Sequence, residues 1–97
     1  MKSDLKTRHG GRILADALAA QGVKLAFGVP GESYLPVLDG LHDLRERVSF
    51  IVCRQEGGVS YMADADGKMT GRPGIAFVTR GPGATNATAG VHVAFQD

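Results

Sequence analysis

The chain has 97 residues, with eleven Lys and Arg against ten Asp and Glu, for a formal charge of +1. Hydrophobic residues make up 43% and charged residues 22%, which excludes a disordered tail as a whole and gives no electrostatic reason to expect nucleic acid or an anionic membrane as partner. A single cysteine excludes an intramolecular disulfide framework and an all-cysteine metal site, and no apolar run approaches the ~20 residues of a membrane span.

Residues 1–10 are polar and charged, with no apolar core of a secretory signal behind them, so a disordered N-terminal segment and a cytoplasmic location are expected. From Gly11 the pattern becomes helical: Ile13, Leu14, Ala17 and Leu18 share one face, and Gly22 stops the helix. Val23 to Phe27 is a short apolar run that reads as a buried strand, and Gly28-Val29-Pro30-Gly31 turns the chain. Ser33 is a candidate cap for the next helix, with Pro36 in its first turn and Leu35, Leu38, Leu41 and Leu44 as its apolar stripe. Val48 to Cys53 reads as the second strand and is broken by Arg54-Gln55-Glu56-Gly57-Gly58. Val59, Met62, Ala63, Ala65 and Met69 predict a third helix ending near Gly71. Pro73-Gly74 turns into a third strand, Ile75 to Thr79, followed by the loop Arg80-Gly81-Pro82-Gly83 and a fourth helix from Ala84 to Phe95.

Helices alternate with strands that read as apolar runs, the pattern of parallel strands covered on both faces. The expected fold is α/β: an open doubly wound parallel sheet flanked by helices, with three strands and four helices, in one domain over 11–97. The fourth helix has no stop signal and a three-stranded sheet leaves an open edge, so the expectation is the front part of a larger domain.

Open α/β sheets place their sites at the carboxyl ends of the strands. Three glycine-containing loops fall there: Gly28 to Glu32, Arg54 to Gly58, and Arg80 to Asn86. Glu56 is the sharpest candidate, directly after a strand and before two glycines. Its plain reading is a first-turn glutamate that complements the helix dipole; its functional reading is a partly buried acid or base. The glycine loops match neither a dinucleotide fingerprint nor a P-loop, and a tight turn accounts for each of them alone. Cys53 reads as a small core residue. His9, His42 and His92 show no ligand spacing, so no metal site is expected in this chain. Asp64 and Asp66 read as surface groups of the third helix, with Asp66 close to its apolar face, and Arg54 and Arg80 suit an anionic substrate or neighbouring acids.

Taken together, Phe27-Gly28-Val29-Pro30-Gly31-Glu32, Arg54-Gln55-Glu56-Gly57-Gly58 with Tyr61-Met62-Ala63-Asp64-Ala65, Thr70-Gly71-Arg72-Pro73-Gly74, and Gly81-Pro82-Gly83-Ala84-Thr85-Asn86 resemble the N-terminal pyrimidine-binding domain of thiamine diphosphate enzymes. The nearest likeness is to acetolactate synthase large subunits, and it runs from about Gly11 to Asp97.

The resemblance implies that Glu56 is the catalytic glutamate. Its carboxyl hydrogen-bonds the cofactor's ring nitrogen N1′, favours the imino tautomer, and so promotes ylid formation for attack on a 2-keto acid such as pyruvate. It further implies that Pro30, Gly31, Pro82, Gly83 and Asn86 border the pyrimidine, and that Glu32 lies near the substrate. The family's Mg²⁺ and diphosphate motif, a Gly-Asp-Gly stretch ending in Asn, belongs to a distant C-terminal domain and does not occur in these 97 residues. Family sites form between subunits, so a homo-oligomer is implied, and the chain by itself is expected to be inactive. Asp66 departs from the aromatic residue common in relatives. Two alternatives stand beside this reading: another reaction on the same scaffold (oxidase, simple decarboxylase or acyl-CoA lyase), and a non-catalytic module that binds a nucleotide or a partner.

Overall fold

The structure is a computed structural model that describes residues 7–96. The disordered segment expected over 1–10 therefore lies mostly outside the described residues. At its end, His9 caps the first helix, its ring Nδ1 accepting from the Arg12 amide at 3.0 Å.

Three parallel strands form one sheet in the order β2-β1-β3, with β1 (Leu25–Gly28) in the middle, β2 (Ser49–Val52) on one side and β3 (Ala76–Phe77) on the other. Gly28 is paired with Val52 across one interface and with Phe77 across the other. The three strands thus end at the same level, and the three loops that follow them leave from one edge.

Helices cover both faces of the sheet. On one face α1 (Gly10–Ala20) packs on α2 (Leu35–Asp43), over a core of Ala15, Leu41, Leu44 and Val48 with Phe50 and Phe77 of the sheet. On the other, α3 (Glu56–Thr70) lies against β1 and α5 (Thr88–Gln96), with Phe27, Val59 and Ala63 buried between them. The expected doubly wound α/β layering is thus present. The helix expected over Ala84 to Phe95 is divided at Ala87 into α4 (Gly81–Asn86) and α5.

Several local expectations are corrected. β1 is buried along most of its length, but β2 is an edge strand, and its Ile51 and Val52 are 37% and 64% exposed. Having only one neighbour, it is not covered as its apolar run suggested. Ser33 does not cap α2. It belongs to a 3-10 turn over Glu32–Tyr34, and Pro36 occupies the first turn of α2 behind it.

The buried face of α1 is Gly11 and Ala15, while Ile13 and Leu14 stand 48% and 44% exposed. The cause is closeness of approach: a Cβ on Gly11 would collide with the Pro36 backbone, and one on Gly40 would come 2.9 Å from the Arg12 Cα. Similarly α3 buries Val59, Ser60 and Ala63 and turns Met62 and Met69 outward, because α5 approaches until Gly90 touches Ser60. The expected stops do hold. Gly71 ends α3 in the left-handed region at φ 74°, its amide donating to the Gly67 carbonyl at 2.8 Å, and Gly22 follows α1 at φ 87°.

Candidate functional site

The site builds up from the loop after β2. Gln55 is the N-cap of α3 and its side chain accepts from the Gly57 amide, which starts the helix at Glu56. Glu56 is therefore the first helical residue, half-buried, on the sheet edge where all three strands end.

The loop after β3 meets it there. The Asn86 Nδ2 donates to Glu56 Oε1 at 3.2 Å. Gly83 is buried beside the other carboxyl oxygen: a Cβ at 83 would sit 3.3 Å from Glu56 Oε2 and 3.1 Å from the Thr79 Cγ2. Only a glycine keeps the carboxyl uncrowded on that side. Gly57 lies near the Asn86 carbonyl, so the second and third loops touch along backbone as well.

The loop after β1 is tied to the loop after β3. The Ser33 and Thr79 hydroxyls are 2.6 Å apart, and Gly31 faces the Thr79 side chain so closely that a Cβ there would come within 2.8 Å of it. Tyr34 stacks on Phe77 with ring centroids 5.5 Å apart and planes at 20°, and its hydroxyl donates to the Val29 carbonyl. Burial raises the Tyr34 phenol pKa above the ordinary phenol value, and the Glu56 carboxylate raises it further. Glu56 thus faces Gly83 and Asn86 of one loop and acts on Tyr34 of the other.

Of the residues singled out in the sequence, Glu56, Gly83 and Asn86 are brought into direct contact, and Gly31 is joined to them through Thr79. Pro30 and Pro82 are exposed on the two loops, and Glu32 is exposed at the rim. Tyr34 and Thr79 are members of the cluster that the sequence reading did not single out. The one available hint was that Tyr34 follows Gly31 by three residues.

The other candidates have no contact with this cluster. Cys53 is half-buried with its Sγ 3.6 Å from Met62 Sδ. His9 caps α1 and contacts Asp39, and His42 lies beside Arg45. Asp64 pairs with Lys68 at 3.0 Å. Asp66 is half-buried and lines a cleft at the opposite end of the sheet. Among the described residues, no group of three His, Cys, Asp or Glu side chains could hold a metal ion, and no helix is long and apolar enough to cross a membrane.

A carboxyl with one oxygen held by an amide and the other kept clear by a glycine is suited to a flat nitrogen heterocycle. In the comparison with known families, residues 8–97 match the model described as thiamine pyrophosphate enzyme, N-terminal TPP binding domain. The chain belongs to this family. It is 42% identical over 90 residues to the acetolactate synthase of Bacillus subtilis, which covers 93% of this chain and 15% of the relative. It is 38% identical over 88 residues to the mitochondrial acetolactate synthase catalytic subunit of Saccharomyces cerevisiae, covering 91% of this chain and 13% of the relative. Against the acetolactate synthase isozyme 3 large subunit of Escherichia coli the identity is 39% over 88 residues, covering 91% and 15%. The chain therefore spans 13–15% of the length of these curated relatives. The residues present fit the family's cofactor: Glu56 can face a ring nitrogen, and the glycine at 83 leaves its Oε2 clear of a side chain.

Proposed function

We propose that this chain supplies the pyrimidine-binding part of a thiamine diphosphate-dependent enzyme acting on a 2-keto acid, by carboligation or decarboxylation in the manner of an acetolactate synthase. The observation that carries the proposal is the meeting of Glu56, Gly83 and Asn86 on one sheet edge, within a chain of this family.

In this reading Glu56 shares a proton with ring nitrogen N1′ through its Oε2, while the Asn86 amide holds Oε1 and fixes the carboxyl's orientation. Gly83 and Gly31 let the ring approach, Pro30 and Pro82 border it, and Glu32 lies toward the substrate. Bound thiamine diphosphate supplies the electron sink for the carbanion left when a 2-keto acid loses carbon dioxide. Mg²⁺ and the diphosphate are held by residues outside this chain, and the working enzyme is a homo-oligomer.

The test is hydrogen–deuterium exchange at C2–H of the cofactor bound to the full-length enzyme. Glu56→Gln preserves shape and the Asn86 hydrogen bond but removes the exchangeable carboxyl proton. Exchange is expected to slow on the order of 10²-fold or more, the usual worth of a placed acid–base group. Unaltered exchange on fully bound cofactor would remove the role given to Glu56.

A further inference from the structure

We infer that Tyr34 is a positioning residue for Glu56: it clamps the loop after β1 to the end of β3 and so holds the Gly81–Asn86 turn where Asn86 reaches the carboxyl. The inference rests on the role proposed for Glu56 and extends it to a residue outside the direct contact set.

The clamp has two parts. The Tyr34 ring is stacked on Phe77, the last residue of β3. Its hydroxyl has one proton, which is donated to the Val29 carbonyl, and the Phe77 carbonyl lies 3.5 Å away as a second acceptor. One side chain therefore joins the residue after β1 to the end of β3. The neighbouring Ser33 adds a strap to Thr79 at 2.6 Å.

Immediately beyond these ties the third loop begins. The Ala84 amide donates to the Thr79 carbonyl at 3.0 Å and to the Arg80 carbonyl at 2.8 Å, so the turn that carries Gly83 and Asn86 is anchored on the residue that Ser33 and Gly31 hold. A shift of Thr79 would be passed directly to Gly83, whose neighbours are the Thr79 methyl and Glu56 Oε2.

The side chain is a positioning residue, since it acts through the Val29 carbonyl and through Phe77, two residues before Thr79, and so on Glu56.

The test uses Tyr34→Phe in the full-length protein, which keeps the stack on Phe77 and removes only the hydroxyl. In cofactor-free protein, hydrogen exchange at the Ala84 amide is expected to speed up about threefold to tenfold, the worth of one neutral hydrogen bond. The Leu44 amide, which donates to Leu41 at 3.0 Å in the α1–α2 layer, should keep its rate. The Kd for thiamine diphosphate should rise by a similar factor of about threefold to tenfold.

C2–H exchange should slow by the same factor in the Tyr34→Phe enzyme, and not at all when Tyr34→Phe is added to Glu56→Gln. Unchanged Ala84 protection, a uniform rise at Ala84 and Leu44 alike, or equal effects of Tyr34→Phe with and without Glu56→Gln would each overturn the inference. Should Tyr34→Phe fail to fold, Ser33→Ala removes the companion strap at an exposed residue and is read by the same Ala84 measurement. The two proposals fail separately. Glu56→Gln without effect on C2–H exchange removes the role of Glu56, whereas the Ala84 amide in cofactor-free protein reports on the clamp alone.

Discussion

The two ends of the sheet are built on different principles. At the carboxyl end, three loops are held to one another by side chains: Asn86 to Glu56, Ser33 to Thr79, and Tyr34 to Val29 and Phe77. At the amino end, the closest contacts are glycine against backbone. Gly74, just ahead of β3, lies on the Ala63 carbonyl of α3, and Gly67 of α3 faces the Arg72 carbonyl and the Gly74 amide. Arg72 then reaches across to the Gly22 carbonyl at 3.2 Å. Backbone pressed on backbone has no rotamer by which to yield, so such contacts fix the layers but cannot adapt. Side-chain ties can exchange partners when a ligand arrives, and this is the end where the proposed function puts the family's cofactor.

Substitutions at the two ends should therefore separate stability from binding. The largest loss of stability is expected for Gly74→Ala at the amino end. Its Cβ would overlap the Ala63 carbonyl, where only backbone movement gives room. Chemical denaturation should show a loss of about 3 kcal/mol, with the folded fraction binding cofactor as before. Val48→Ala, next to β2 and 1% exposed, should follow at about 2 kcal/mol, since two methyl groups leave the Leu41–Leu44 cluster and a cavity remains.

Gly83→Ala at the carboxyl end should do the reverse. Titration with thiamine diphosphate is expected to show affinity falling about tenfold as the methyl crowds Glu56 Oε2, with stability changed by less than about 1 kcal/mol. Arg72→Ala removes one exposed tie to Gly22 and should cost about 1 kcal/mol in the same denaturation assay, without effect on the cofactor.

The smallest effect belongs to neither end. Asp16 on α1 accepts from Arg12 at 2.9 Å and from Arg8, and these guanidinium groups, Arg12 first, hold its carboxyl below the ordinary aspartate value of 3.8. A lowered folded-state pKa means that the stabilisation is present above the ordinary value and is lost as pH falls through the folded one. The denaturation midpoint of the native chain should drop slightly more than that of Asp16→Asn on acidification from about pH 5 to about pH 3.

The layered architecture was legible because glycine and proline mark each turn, and because β1 is apolar along its whole length. The helix faces were not. A search for large apolar side chains at helical spacing selects Ile13 and Leu14 in α1 and Met62 and Met69 in α3, yet all four are exposed. The true contacts run through Gly11, Ala15, Gly40, Ser60 and Gly90, whose value is their small size. Apolar periodicity has no means of distinguishing a glycine that admits a neighbouring helix from one that breaks its own.

At the site, Glu56, Gly83 and Asn86 were legible because their motifs stand in the family's order. Tyr34 and Thr79 were not, because their contacts join residues more than forty positions apart (Tyr34 to Phe77, Ser33 to Thr79) that no local pattern marks. The exposed edge of β2 has a similar origin. Val48 to Cys53 is apolar enough for a central strand, and only the pairing order puts it at the rim.

The central claim is that one carboxyl group and one ring nitrogen act as a pair. It is tested most directly by giving the full-length enzyme a thiamine diphosphate analogue in which a C–H replaces N1′ and following exchange at C2–H. The expected result is that the analogue slows exchange in the native enzyme as much as Glu56→Gln does with the natural cofactor, and that combining the two changes adds nothing. An analogue that loses as much again when Glu56→Gln is introduced would contradict the pairing, and would leave Glu56 only as the first residue of α3.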